Sequence, residues 1–250
     1  MSAMGPDEVE RYARHIVLRE VGGAGQRRLR EARVLVVGAG GLGSPVALYL
    51  AAGGVGTLRI VDDDEVSLSN LQRQVLHGTP DIGRPKVESG RDALARINPH
   101  VAVEAMGERF SEDSGARLLE GVDLVVEGTD GFAARATIAE ACEAARVPLV
   151  TGAVGRFEGS VTTLRPFEAD AEGRANPRFS DLFPASPPAG AVPSCAEAGV
   201  IGALTGIVGT VQAMETLKEL LGIGEGLVGR LMTYDALAAE WRTIRYRRRA

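Results

Sequence analysis

The sequence predicts an α/β fold with a Rossmann-like, mainly parallel sheet and helices on both faces. Three observations indicate it: short apolar runs alternate with segments of helical periodicity, a glycine motif directly follows the first run, and an acidic residue follows the second. Strands that alternate with helices typically form a parallel sheet covered on both sides. We therefore expect a single domain over residues 1–250.

The elements follow in chain order. Apolar spacing predicts an amphipathic helix over residues 7–20, within an N-terminal helical segment at 7–31. The α/β core is expected over 32–164. Its predicted strands lie at 33–37, 57–61, 101–106, 122–127 and 148–151, and its predicted helices at 44–52, 84–97 and 133–145.

Residues 165–198 are predicted to form a long crossover loop because they contain six of the 12 prolines and lack periodicity. Loops of this length are usually functional lids or disordered segments, although a passive connector is the alternative. The last segment, 199–250, is expected to contain a buried helix at 199–221. Two final strands, at 228–234 and 241–246, predict an antiparallel C-terminal extension of the sheet.

Composition is that of a cytoplasmic enzyme without a membrane segment, since no apolar run approaches the length that spans a bilayer. The net charge of −5 makes nucleic-acid binding an unfavoured function, and the basic residues 245–249 are expected to be a solvated tail. Cys142 and Cys195 are too few for a disulfide framework or a four-thiolate site, and Cys142 is expected in the core. Lys86 and Lys218 are the only lysines in an arginine-rich chain, which hints that position 86 requires lysine.

A glycine-rich motif follows the first predicted strand and opens the next helix, with glycines at Gly38, Gly40, Gly41 and Gly43. Such glycines permit a tight turn and let backbone N–H groups approach phosphate oxygens. Asp62 ends the second strand, where a carboxylate accepts hydrogen bonds from ribose hydroxyls. Together they predict a nucleotide site and leave NAD and ATP both open.

Four further polar residues favour ATP. Asn70 and Arg73 come soon after Asp62, Lys86 adds a second cation, and Asp130 adds a carboxylate after the strand at 122–127. Two cations and a carboxylate suit triphosphate chemistry, in which the carboxylate holds magnesium and the cations neutralise charge on leaving pyrophosphate. A hydride-transfer enzyme would need a substrate domain, for which the chain leaves little room.

These residues resemble the MoeB/ThiF family, bacterial relatives of the ubiquitin-activating enzymes, over nearly the whole chain. Cys-Ala-Glu-Ala-Gly-Val and Asn-Pro-His lean towards the MoeB branch, which serves molybdopterin synthesis, over the ThiF branch of thiazole synthesis. The matching stretches are Arg11-Tyr12-Ala13-Arg14-His15-Ile16, the glycine loop, Leu68-Ser69-Asn70-Leu71-Gln72-Arg73-Gln74, Gly83-Arg84-Pro85-Lys86, Gly128-Thr129-Asp130 and Cys195-Ala196-Glu197-Ala198-Gly199-Val200.

The resemblance implies adenylation of the C-terminal Gly-Gly carboxylate of a ubiquitin-like sulfur carrier, MoaD-like or ThiS-like, from ATP and magnesium. Asp62 would bind ribose and Asp130 magnesium, whereas phosphate contacts would come from Asn70, Arg73 and Lys86. Arg14 would enter the partner subunit's active site, which implies a homodimer. Cys195 would form a covalent link to the carrier or a sulfur donor, or be an incidental thiol.

Simpler explanations stay open: Arg14 as a surface charge, Lys86 as a helix-start solubiliser, Asp130 as a helix cap and Asn70 as a turn residue. Rival functions are a same-fold enzyme acting on a tRNA base or peptide, an inactive nucleotide-binding scaffold and, more distantly, an NAD-dependent oxidoreductase.

The chain departs from the family in lacking the two Cys-x-x-Cys pairs that hold zinc in many members, so we expect no zinc. We expect packing of Phe179, Leu182 and Phe183 to replace the metal. Gly131 stands where asparagine is commoner. No rhodanese-like segment is present, so a separate sulfur donor is expected.

Overall fold

The computed structural model describes residues 4–184 and 199–249, so Cys195 lies outside the described residues. Its strands are β1 Arg33–Val37, β2 Thr57–Val61, β3 Ala102–Met106, β4 Leu124–Glu127, β5 Leu149–Gly155, β6 Glu158–Leu164, β7 Arg230–Asp235 and β8 Glu240–Arg245. Its helices are α1 Pro6–Arg11, α2 Ala13–Ile16, α3 Gly22–Glu31, α4 Gly43–Gly53, α5 Lys86–Ile97, α6 Glu112–Leu118, α7 Phe132–Ala145, α8 Phe179–Leu182 and α9 Gly202–Leu221.

The strands form one sheet in the order β3-β2-β1-β4-β5-β6-β7-β8. The first five in this order are parallel to their neighbours. β6, β7 and β8 extend the sheet in antiparallel pairing. The predicted fold class is therefore confirmed, with three antiparallel strands in place of the two expected.

Alternating side chains of the central strands bury opposite faces of the sheet, as the period of two requires. Val34 and Val36 of β1 belong to a core that includes residues of α3, α4, α5 and α9. Leu35 and Val37 belong to a second core with residues of α6, α7 and α8. Cys142 is 2% exposed in that second core, as predicted. No helix in the described residues is long and apolar enough to cross a membrane.

Several elements differ from the predictions. The single helix expected at 7–20 breaks at Tyr12, which is 4% exposed and whose hydroxyl accepts a 2.7 Å hydrogen bond from Asn98 Nδ2. β6 was not predicted because its glycine, serine and threonines form no apolar run; a two-residue hairpin pairs it with β5. α6 is too short for a periodicity window, and α8 adds one helical turn to the expected loop.

The expectation of a solvated tail is wrong for its described end. Nη1 of Arg248 donates to the carbonyl oxygens of Pro166 (3.3 Å) and Asn176 (3.4 Å), and the Arg249 N–H donates to Asp181 Oδ1 at 2.9 Å. These contacts, which we call the tail clasp, fasten the C-terminal residues to the first part of the crossover segment.

Aromatic packing also fastens the crossover segment to the rest of the fold. The ring of Phe132 on α7 lies 5.6 Å from that of Phe179 and 5.8 Å from that of Phe183, both centroid to centroid. Such tilted and edge-on pairs are favourable geometries for aromatic rings. The packing expected of Phe179 and Phe183 is present, with Phe132 as an additional partner.

Candidate functional site

A cleft of about 540 Å³ opens at the carboxyl ends of β1, β2 and β4. The strand register aligns Val37 with both Val61 and Glu127, so the residues that follow these strands are neighbours. The Gly38 N–H donates to the Val61 carbonyl at 2.8 Å, and the Gly128 N–H donates to the Val37 carbonyl at 3.0 Å. This edge of an open α/β sheet is the usual position of a ligand site.

The glycine loop forms one wall of the cleft. Gly38 has φ +95°, a conformation that side-chain-bearing residues rarely adopt, and a Cβ at Gly43 would lie only 1.8 Å from the Gly38 carbonyl oxygen. Gly38, Gly40 and Gly41 line the cleft, whereas Gly43 lies behind them as the first residue of α4. The tight turn thus brings the positive end of the α4 dipole to the cleft.

The backbone of Ala39, inside this loop, makes hydrogen bonds through both its N–H and its carbonyl group. Its N–H donates to Asp62 Oδ2 at 2.7 Å, and its carbonyl oxygen lies 2.9 Å from His77 Nε2. A carbonyl only accepts, so His77 carries its proton on Nε2, and its Nδ1 accepts from the Ser89 hydroxyl at 2.9 Å. Burial lowers the pKa of His77, which favours this neutral tautomer.

Asp62 lies in the wall of the cleft with both carboxylate oxygens engaged. Oδ2 accepts from Ala39 and Oδ1 accepts from the Asp64 N–H at 2.9 Å. Burial raises the pKa of the Asp62 carboxyl, and the nearby Lys86 ammonium opposes that effect. Each oxygen keeps a further lone pair, so this carboxylate still has capacity for two ribose hydroxyls.

Lys86 is the first residue of α5 and lines the cleft, although its side chain is only 6% exposed. Its Nζ lies 2.8 Å from Asp64 Oδ2 and 4.0 Å from Asp62 Oδ1. A buried ammonium requires such partners because desolvating an unpaired charge is costly. The explanation of Lys86 as a solvated helix-start residue is wrong.

Asn70 and Arg73 line the cleft from the segment after β2. Asn70 Oδ1 accepts from the Ser67 N–H at 3.3 Å, so the turn role does apply to this residue. Arg73 Nη1 donates to the Ser69 carbonyl at 3.1 Å. The Thr205 hydroxyl of α9 lies 3.3 Å from the Arg73 carbonyl oxygen but donates to the nearer Gly202 carbonyl at 2.8 Å. These local contacts support the two side chains at the mouth of the cleft.

Asp130 is an exposed residue that lines the cleft and has no hydrogen bond or ion pair within residues 4–184 and 199–249. Gly131, without a side chain, is the cap of α7, so the helix-cap explanation of Asp130 is wrong. An unengaged carboxylate oxygen is a donor of the kind that magnesium prefers. Asp62, Asp63 and Asp64 also bring carboxylate oxygens within 4.8 Å of one another, beside Lys86.

Two predicted residues are not part of the cleft. Arg14 is exposed on α2, away from the residues that line it, and Cys195 lies outside the described residues. Conversely, sequence reasoning did not identify several lining or supporting residues: Gln74, His77, Arg109, Glu127, Thr129, Arg135 and Thr205. Glu127 carried the clearest signal, because a charged residue that ends an apolar strand is rarely buried without partners.

The family described as "ThiF family" matches residues 12–250. The chain belongs to the ThiF family. The predicted resemblance is thereby confirmed over nearly the whole chain.

Relatives within the ThiF family carry adenylyltransferase names. The chain is 47% identical over 247 residues to the probable adenylyltransferase/sulfurtransferase MoeZ of Mycobacterium tuberculosis, covering 99% of this chain and 62% of MoeZ. It is 46% identical over 242 residues to the sulfur carrier protein adenylyltransferase of Thermus thermophilus, covering 97% and 89%. The molybdopterin-synthase adenylyltransferase of Escherichia coli K12 is 42% identical over 248 residues, covering 99% and 96%.

Solved structures share the ThiF-family fold. The crystal structure of PaaA has a TM-score of 0.80 at 25% identity, covering 99% of this chain and 76% of PaaA. The crystal structure of E. coli MccB with ATP has a TM-score of 0.76 at 18% identity, covering 95% and 72%. The second likeness concerns the fold alone.

Proposed function

We propose that this chain is an ATP-dependent adenylyltransferase acting on the C-terminal Gly-Gly carboxylate of a ubiquitin-like sulfur carrier protein. The observation that carries the proposal is the buried ammonium of Lys86, which faces the same cleft as Arg73, the glycine loop and Asp62. Cations beside a helix N-terminus suit a triphosphate, and the carboxylate suits its ribose. The adenylyltransferase names of relatives at 42–47% identity favour this activity over NAD-dependent oxidoreduction.

The reaction is a displacement at the α-phosphorus of ATP. A carboxylate oxygen of the carrier attacks that phosphorus, the bond to the β-phosphate oxygen breaks, and pyrophosphate leaves with the bonding electrons. The product is a mixed anhydride of the carrier and AMP. Arg73 and Lys86 would neutralise the negative charge that grows on the leaving pyrophosphate, and Asn70 would donate to a phosphate oxygen.

Asp130 fits a role in holding magnesium, since it lines the same cleft as Asp62 and its carboxylate has no partner among the described residues. Magnesium, when bound, supplies positive charge that screens the phosphates and lowers the cost of charge movement towards pyrophosphate. The sequence provides only two cysteines, which does not fit the zinc site of many family members. We therefore keep the prediction that this chain holds no zinc.

We infer a homodimer in which Arg14 serves the partner's cleft. Arg14 is exposed and lies away from the cleft of its own chain. Large apolar side chains are also exposed on or beside α2, α4 and α9, including Val17 at 74%, Tyr49 at 56% and Met214 at 50%. Exposed apolar surface of this kind is typical of an interface between subunits.

Carrier-dependent exchange of radiolabelled pyrophosphate into ATP tests the proposal. MoaD-like and ThiS-like carriers ending in Gly-Gly should each be assayed with the wild type and with Asp130→Ala, beside the same carriers with an amidated C-terminus. We expect exchange with one free-carboxylate carrier only, lost in the variant and with the amide.

Absence of exchange with every carrier, while ATP still raises the melting temperature, would overturn the carrier proposal. Exchange dependent on a peptide or tRNA substrate instead would support the rival enzymes. No response to ATP at all would leave the scaffold as the better explanation.

A further inference from the structure

Glu127 is a buried carboxylate that the proposed reaction does not use. It is the last residue of β4, is 0% exposed and does not line the cleft. An ionised carboxylate is expensive to bury unless charge and hydrogen bonds compensate it. The groups that compensate the Glu127 carboxylate therefore indicate its role.

Four donor groups converge on this carboxylate. Oε1 accepts from the backbone N–H and the hydroxyl of Thr129, both at 2.6 Å, and Oε2 accepts from the Thr151 hydroxyl at 2.6 Å. Nε of Arg135 lies 3.2 Å from Oε2, an ion-pair distance without the alignment of a hydrogen bond. The Gln212 side chain donates to the Glu127 carbonyl at 2.7 Å and fixes the backbone of the residue itself.

The residues on both sides of Asp130 are held, Thr129 by this network and Gly131 by the first turn of α7. Thr129 is held at its N–H and hydroxyl by Glu127 and at its carbonyl by Arg135 Nη2, 3.3 Å away. On the other side, the Gly131 carbonyl accepts from the Arg135 N–H at 3.1 Å. Asp130 lies between these anchored residues with its own carboxylate unengaged within the described residues.

We propose that Glu127 is a positioning residue that, with Arg135, holds Thr129 and thereby aims the Asp130 carboxylate into the cleft. This inference rests on the proposed role of Asp130. The Glu127 carboxylate lies behind the residues that line the cleft, so it would act on Asp130 without contacting the nucleotide. Fixing a reactive group through buried partners reduces the reorganisation required during the reaction.

The test compares Glu127→Gln and Glu127→Ala with Glu215→Gln. Glu215 is a matched control because it is also buried, at 3% exposed, is paired with Lys218 on α9, and does not line the cleft. The amide side chain in Glu127→Gln would keep one carbonyl oxygen for Thr129 but would turn its NH₂ group towards Arg135. We expect kcat for exchange to fall about tenfold in Glu127→Gln and about a hundredfold in Glu127→Ala, with the magnesium requirement raised.

Two measurements do not depend on turnover. The Thr129 amide should exchange its hydrogen at least about tenfold faster in Glu127→Ala, less than that in Glu127→Gln, which retains an acceptor oxygen, and at the wild-type rate in Glu215→Gln. The affinity for ATP measured with a chelator present should stay within about twofold of the wild type, since Glu127 does not line the cleft. A merely structural role would instead lower the melting temperature and all kinetic parameters together, as in any destabilised variant.

Unchanged Thr129 exchange in Glu127→Ala, or equal losses of kcat in Glu127→Gln and Glu215→Gln, would overturn the inference. If the wild type itself fails to exchange pyrophosphate with any carrier, the proposed function fails. The amide exchange of Thr129 would still report on the anchoring.

Discussion

Nζ of Lys86 lies 2.8 Å from Oδ2 of Asp64, although the lysine side chain is 6% exposed and the aspartate side chain is 63% exposed. The pair is therefore asymmetric. The lysine has lost its hydration to face the cleft, whereas the carboxylate stays in water and can be replaced by a phosphate oxygen. The Lys86 N–H also donates to the Asp64 carbonyl at 2.9 Å, so the backbone holds the lysine independently of that carboxylate.

The first prediction follows from this asymmetry. Lys86→Gln should lower kcat/KM for ATP in pyrophosphate exchange by about 50-fold or more, whereas Asp64→Asn should lower it by less than about fivefold, because a phosphate oxygen can take the place of the exposed Asp64 carboxylate. Steady-state exchange kinetics at fixed magnesium measure both values. Equal effects of the two substitutions would contradict an independent role for the lysine.

The second prediction concerns Arg14. Arg14→Ala and Asp130→Ala should each be inactive alone, yet a one-to-one mixture after subunit exchange should recover about a quarter of wild-type exchange activity. Half of the dimers in that mixture are hybrids, and each hybrid has one cleft with both groups intact. Recovery near zero, despite hybrids detected by native mass spectrometry, would show that Arg14 does not serve the partner.

The third prediction separates the two cysteines. Burial raises the pKa of the Cys142 thiol far above its usual range, so this thiol should resist alkylation in the folded protein and react only after unfolding. Cys142→Ser should leave any covalent adduct with the carrier intact, and Cys195→Ser should remove it. Mass spectrometry of wild type and both variants after incubation with ATP and carrier checks this, and an adduct on Cys142 would contradict it.

The fourth prediction concerns pH. The pKa of His77 is lowered in the folded state by burial, so the unfolded chain binds more protons at this residue. The stability that neutral His77 contributes is present above its unfolded pKa of about 6.5 and is lost as pH falls towards the folded value. In urea unfolding, the free energy of unfolding should fall less between about pH 8 and about pH 5.5 in His77→Gln than in the wild type. Parallel losses would exclude His77 as the group responsible.

The fifth prediction concerns the tail clasp. Asp181→Ala should lower the free energy of unfolding by about 1–2 kcal/mol, because it removes acceptors for the Arg178 and Arg249 N–H groups. Glu172→Ala, in an exposed pair with Arg174, is the matched control and should cost less than about 0.5 kcal/mol. Denaturant titration measures both.

A chelator should leave the wild-type melting temperature unchanged if the clasp and the aromatic packing stand in for zinc. A lower melting temperature with chelator, together with bound zinc by elemental analysis, would contradict the expectation that this chain holds none.

Apolar runs in the sequence predicted the central parallel strands of the sheet. The runs of β1 and β2 were assigned to their observed limits, because buried parallel strands are mostly apolar. β6 was not detected by this reasoning, since its polar residues Thr162 and Thr163 become buried only when the strand takes its place in the sheet.

The site divides in the same way. Residues that face the cleft, such as Asp62 and Lys86, lie in motifs with characteristic spacing. Residues that support it do not: Glu127 meets Thr151 and Gln212, which are 24 and 85 positions away in the chain. A charged residue at the end of an apolar strand indicates that Glu127 needs buried partners. Which residues those partners are depends on the assembled sheet and cannot be read from a single sequence.

The hydrogen bonds of the Ala39 N–H to Asp62 and of the Ala39 carbonyl to His77 have a thermodynamic consequence for nucleotide binding. Because Asp62 and His77 fix both polar groups of the Ala39 backbone, the conformational entropy of this part of the loop has already been lost during folding. A nucleotide that binds in the cleft would therefore meet an ordered surface at this point, and its affinity would not be reduced by the entropy of ordering the loop. In this member of the ThiF family, the glycine loop is thus preorganised by folding, before any nucleotide binds.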